Sequence, residues 1–263
     1  ILAAVVAPTV LAVIGIMCPT ARPYLAAASL ALLLVDLFIL DRAQQFFLRR
    51  AARIAEQFDC CVLELPWNKF IAGAKVDHGD IEAAAAAFGD KAPDMEKIRN
   101  WYPQEVGRAP LHIARVVCQF ENARYDVKLR RRHAIAVAAL PAIIVIATIV
   151  AWATLDLTFS DVVLTILTPA APVAVWALRE AFRHSDAALA QERIKEAVDG
   201  LWADISKLKA DALLLKAREF QDAIFLRRVS SPLVFPLVYH ALRSKMESQM
   251  HKSADKRLKD AGY

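Results

Sequence analysis

Four stretches of this 263-residue chain contain no lysine or arginine and are long enough to cross a bilayer. They occupy residues 1–17, 24–40, 134–154 and 159–178, the first reading "ILAAVVAPTVLAVIGIM". At a rise of about 1.5 Å per residue each extends roughly 25–31 Å, close to the thickness of a hydrocarbon core. With 57% hydrophobic residues, the chain is predicted to be an all-α membrane protein rather than a soluble protein with an enlarged core. The expected architecture is four transmembrane helices in two hairpins (1–40 and 134–178) plus a mostly helical cytosolic domain. That domain is built from two segments, 41–133 and 179–263. The first stretch opens without a cationic n-region, which predicts that further residues precede it; a cleaved signal peptide is the competing reading.

The cations orient this arrangement. Of 33 lysines and arginines, 32 fall in 41–133 and 179–263, many hard against the apolar stretches ("KLRRRH", "REAFRH"), and only Arg22 lies between stretches. The positive-inside tendency therefore places both termini and both polar segments in the cytoplasm. Loops of a few residues remain outside, so anything this protein detects is detected from the cytosol.

Enzymatic chemistry finds little support. There is no GxSxG, no HExxH and no glycine-rich phosphate loop among only seven glycines. The six histidines are scattered, and Cys18, Cys60, Cys61 and Cys118 show no C-x-x-C spacing. Free thiols are expected, with no metal and no cofactor.

Along the polar segments the pattern is helical. "GDIEAAAAAFGDK" reads as a short helix with Asp80 as N-cap and Gly89 as its stop. Pro110 opens a helix expected to run through "ARYDVKLRRRH" into the third span. Ile194, Val198, Leu201, Ile205, Leu208, Ala212 and Leu215 alternate spacings of four and three, a coiled-coil-like seam of about three heptads. Its partner is either the 111–130 helix of the same chain, the favoured reading, or another copy.

Several residues are candidates for function. Arg218, Gln221, Asp222 and Phe225 fall on one helical face, with Arg227 close behind. A guanidinium can fork onto phosphate, Gln and Asp can read base edges, and Phe can stack. An ion-pair network tying this helix to the loops is the competing reading. Trp67–Asn68 in "LPWN" and Trp101–Tyr102 in "NWYP" are either stacking platforms or plugs of a small core. Arg124, Lys128 and Arg131 form a basic stripe suited to lipid headgroups. Asp36, inside the second span, should face protein or water, and Pro169 and Pro172 should bend the fourth, as a static kink or a gating hinge.

"AARIAEQFDCCVLELPWN", "GDIEAAAAAFGDK…IRNWYP", "ENARYDVKLRRRH" and "KAREFQDAIFLRR" occur in the order and spacing of one family. The chain resembles the four-transmembrane effectors, often called S-4TM, associated with cyclic-oligonucleotide-synthesising enzymes in bacterial CBASS antiphage systems. The resemblance covers nearly the whole chain and is weakest over "SSPLVFPLVYH". It implies that a cyclic di- or trinucleotide binds the cytosolic domain and that a homo-oligomer then rearranges to permeabilise the membrane. The implied partners are that nucleotide and the lipid bilayer, with no DNA or RNA polymer. Carried over, the ligand positions are Trp67, Asn68, Trp101, Tyr102, Arg218, Gln221, Asp222, Phe225 and Arg227. The alternative is a non-enzymatic scaffold recruiting a protein through the 194–215 seam.

Overall fold

The computed structural model describes residues 41–89, 99–154 and 158–263, together with scattered single positions between 10 and 39. Asp36 and most of the first two predicted spans lie outside the described residues. Every regular element among those described is helical. The α-helices of four residues or more are α1 (Asp41–Val62), α2 (Lys69–Ala72), α3 (His78–Phe88), α4 (Leu111–Thr154), α5 (Thr168–Trp202), α6 (Ala210–Ser230) and α7 (Pro236–Asp260). The chain divides into two compact units, one of residues 1–47 and 131–185 and one of 48–130 and 186–263.

One helix among the described residues, α4, whose residues from 131 onward belong to the first unit, is long and apolar enough to cross a membrane, and only 17% of its apolar window is buried. Ile143, Ile146, Ile149 and Val150 stand more than half exposed, as expected of side chains whose solvent is lipid. The fourth stretch is not the simple bent helix that its sequence suggests. A three-residue helical turn, Phe159–Asp161, passes into a π-helix, Val162–Leu167, before α5 begins at Thr168. Pro169 and Pro172 lack the N–H groups that would bond back into this stretch, so a widened turn just upstream is a physical answer to the missing donors. His133 and His184 are wholly buried with ring centroids 3.9 Å apart, and Glu180 Oε1 lies 3.3 Å from His184 Nε2.

The second unit holds the soluble core. Ile113, Val116, Val117 and Phe120 of α4 pack with Val198, Ile205, Leu213, Ala254 and Leu258. The predicted seam is therefore internal to the chain, but it is not one helix. The helix ends at Trp202, Ile205–Lys207 form a 3-10 turn, and α6 starts only at Ala210. Heptad spacing records which residues are buried, and the turn returns Ile205 to the same core without an unbroken helix. Past the break the register slips: Leu213 is buried, whereas Leu215 is 68% exposed. Arg257 of α7 lids this core, its guanidinium 3.7 Å from the Phe120 ring centroid and bonded to Asp199 at 2.7 Å.

Local signals set several element ends. The N-cap of α3 is Asp77, not Asp80: its Oδ1 accepts from Gly79 N at 2.8 Å, while Gly89 terminates the helix at φ 79° as expected. At the end of α1, Leu65 N bonds Cys60 O at 3.0 Å and Glu64 N bonds Cys61 O at 3.4 Å, a Schellman closure. Glu64 takes the left-handed position at φ 48°, a conformation glycine adopts at less cost. Arg115 of α4 donates to the carbonyls of Leu63 and Glu64, clamping this strained corner onto the core. The basic stripe is also spoken for in part: Arg124 bonds Glu121 and Lys128 bonds Gln249 of α7.

Candidate functional site

Acids occupy core positions of α1. Ala52, Glu56, Asp59 and Leu63 follow spacings of four, three and four, and all four are buried, the two carboxylates to 1% exposure. A buried carboxylate must be paired and hydrogen-bonded, and α6 supplies the partners. Arg218 Nη2 lies 2.6 Å from Glu56 and 2.9 Å from Asp222. Gln221 Nε2 donates to Glu56 at 2.9 Å and to Asp59 at 2.8 Å, and Arg228 pairs with Asp59. Burial works against the charge of both arginines, yet the carboxylates beside them raise both above the ordinary range. Tyr102 completes the group, donating to Asp59 Oδ1 at 2.7 Å. Burial first, and then the charge of Asp59, push its hydroxyl well above the usual phenol range, so it stays a donor.

The "LPWN" corner is joined to this network. Asn68 Oδ1 accepts from Phe70 N and Ile71 N, capping α2, while its Nδ2 donates to Asp222 at 2.8 Å. The Pro66 carbonyl accepts from Arg218 at 2.9 Å. Trp67 is half-buried between two apolar clusters, its indole N–H donating to Gly73 O at 3.0 Å. Phe225 is buried against Ala52 and Ala72, which leaves no face for a base. Both terminal nitrogens of Arg218 are engaged by protein acceptors, and the surrounding acids outnumber the arginines. Asn68→Ala is expected to cost about 1–2 kcal/mol, through loss of a cap and of a bond to a charged partner. Asn68→Asp, which keeps the cap but faces Asp222, should be at least as destabilising; equal stability of Asn68→Asp and wild type in thermal unfolding would contradict the tie.

Against this framework lies a cavity of about 520 Å³, lined by Arg99, Asn100, Trp101, Tyr102, Asn122, Tyr125, Arg243, Glu247, Met250 and His251. Of the residues singled out by sequence, Trp101 and Tyr102 line it; Trp67, Asn68, Arg218, Gln221, Asp222, Phe225 and Arg227 do not. Its volume falls in the range typical of small-molecule sites. Trp101 is 42% exposed, and Tyr125 offers a second aromatic face. Arg99 and Arg243 bring positive charge against the single acid Glu247, which pairs with Arg243. Asn122 contributes a buried Nδ2 with no hydrogen-bond partner. The floor is held from both sides: Phe58 stacks on Tyr102 at 6.3 Å, and His251 bonds Glu105 at 3.0 Å. On Glu105, burial is outweighed by the hydrogen bond from His251, which draws the carboxyl below its usual range. Sequence reasoning missed Tyr125, Asn122, Arg243 and His251 because they lie on α4 and α7, two helices far apart in the sequence. Glu56 and Asp59 did leave a signal, acids standing in an apolar register.

The family model described as the SMODS-associating 4TM effector domain matches residues 1–257. The chain belongs to that family. A protein of Bacillus cereus (strain VD146) named a probable CBASS effector molecule is similar to this effector domain, 22% identical over 218 residues. The match covers 80% of this chain and 70% of the relative. No solved structure matches the chain.

Among the described residues of the effector domain, no group of three His, Cys, Asp or Glu side chains could hold a metal ion. Its described cysteines differ in exposure, Cys60 and Cys118 being buried. Burial, then the charge of Glu56, raises the Cys60 thiol to about 11, and burial raises Cys118 to about 12. At neutral pH their thiolate fractions are of order 10⁻⁴ or less. Cys61 is exposed. Maleimide labelling of the folded protein followed by peptide mapping should therefore mark Cys61 well before its neighbour Cys60; equal rates would contradict the packing of α1.

Proposed function

We propose that this protein is an antiphage membrane effector of the CBASS type. In this reading a cyclic oligonucleotide made on infection binds the cytosolic unit, and the four spans of an oligomer then rearrange to permeabilise the inner membrane. The observation that carries the reading is the cavity: aromatic faces at Trp101, Tyr102 and Tyr125 beside the guanidiniums of Arg99 and Arg243. Flat bases and phosphates call for that pairing of side chains. Membership of a four-transmembrane effector family and likeness to a named CBASS effector support the membrane role, and the distribution of cations supports cytoplasmic termini.

The energetics are sufficient. Moving a closed state from 1:99 to 99:1 open requires about 5.5 kcal/mol of differential affinity. Stacking at about 1–3 kcal/mol per base, with charge-assisted hydrogen bonds at about 1.5–3 kcal/mol each, reaches that figure, and subunits that switch together share it. The test is purified full-length chain in dye-loaded liposomes, challenged with a panel of cyclic di- and trinucleotides. Leakage only with one of them is expected; neither leakage nor binding across the panel would remove the reading. The scaffold alternative is the poorer one, because Val198 and Ile205 of its docking seam are buried within the chain's own core.

A further inference from the structure

A second cavity, of about 270 Å³, opens beside Leu48, Ala51 and Ala55 of α1 and the proline-interrupted segment between α6 and α7. Apart from Ser231 its walls are apolar, and the charged groups that line it are two guanidiniums, Arg130 and Arg228. Both are held from behind. Arg130 bonds Asp126 at 2.6 Å and the Pro232 carbonyl at 3.0 Å, and Arg228 Nη1 bonds Asp59. Those contacts use Nε and Nη1 of Arg130 and Nη1 of Arg228, which leaves the remaining N–H groups of each fork for another acceptor. No carboxylate lines the cavity itself. Nearby, Leu233, held outside the helices between Pro232 and Pro236, and Leu237, in the first turn of α7, are 46% and 85% exposed.

The place of this cavity in the chain is as informative as its lining. Arg130 lies four residues before Ala134 in the same helix, about 6 Å of rise from the start of the third apolar stretch. Headgroup phosphates sit at such a depth, just outside the hydrocarbon. We propose that this cavity binds the headgroup of an anionic phospholipid, its phosphate on Arg130 and Arg228 and its glycerol and upper acyl chain against the alanine and leucine walls. The inference rests on the membrane reading of the chain, and it is independent of what occupies the Trp101 cavity.

Native mass spectrometry of the full chain, released from nanodiscs of phosphatidylcholine alone or mixed with phosphatidylglycerol, tests it. Wild type should retain phosphatidylglycerol selectively. Arg130→Gln, which removes one charged donor, and Ala51→Trp, which fills the exposed rim, should each reduce retention at least about tenfold. Ala51→Trp should leave cyclic-oligonucleotide binding and melting temperature unchanged, which separates a lost site from a lost fold. Equal retention in all three proteins overturns the proposal. So does thermal stabilisation by inorganic phosphate equal to that by phosphatidylglycerol, since the walls would then contribute nothing. A chain that fails to enter nanodiscs at all would refute the membrane reading itself, and this site with it.

Discussion

Arg228→Met is expected to destabilise the protein by about 3–5 kcal/mol, because it leaves Asp59 buried without its counter-charge. Gln221 and Tyr102 would still donate to that carboxylate, but two neutral donors do not replace a cation in a medium of low effective dielectric. For a chain of this size the loss corresponds to a fall in melting temperature of roughly 6–20 °C, readable by tryptophan fluorescence in detergent. Adding Asp59→Asn to the same chain should recover a substantial part of it, since the penalty lies in the orphaned charge and not in the missing contact. A shift under about 2 °C for the single variant, or no recovery in the double, would mean that this network does not join α1 to α6.

Trp101→Ala should weaken cyclic-oligonucleotide binding by about 5–150-fold, the range of a lost stacking platform at about 1–3 kcal/mol. Arg243→Gln should act similarly and should flatten the salt dependence of binding, because it removes a phosphate-directed charge. Trp67→Ala is the informative contrast. It breaks the bond to Gly73 and opens space between two apolar clusters, so it should lower the melting temperature while leaving the dissociation constant of the folded fraction near wild type. Calorimetric titration of the three variants separates the outcomes. Were Trp67→Ala and Trp101→Ala to exchange roles, the binding site would belong at the "LPWN" corner.

The helical class, the run of α4 into an apolar stretch and the internal partner of the seam were all legible in the sequence, because each depends on periodicity within a single element. The seam's continuity was not: a 3-10 turn at Ile205–Lys207 preserves burial while breaking the helix, and burial is all that spacing encodes. Arg218, Gln221 and Asp222 were recognisable as a shared face, but their partners Glu56 and Asp59 lie more than 150 residues earlier. Whether such a face clamps a ligand or its own fold depends on which helix lies opposite. Trp101 and Tyr102 stood out by composition; Tyr125, Arg243 and His251 are ordinary surface residues until α4 and α7 converge on them.

Tyr102 belongs to two structures at once, its ring forming part of a cavity wall and its hydroxyl anchoring Asp59. A guest resting on that ring cannot tilt it without slackening the hydroxyl's grip, nor press it home without tightening the grip. On the proposed function, occupancy should therefore stiffen the α1–α6 pair, and slower amide exchange along those two helices is the expected mark of the guest.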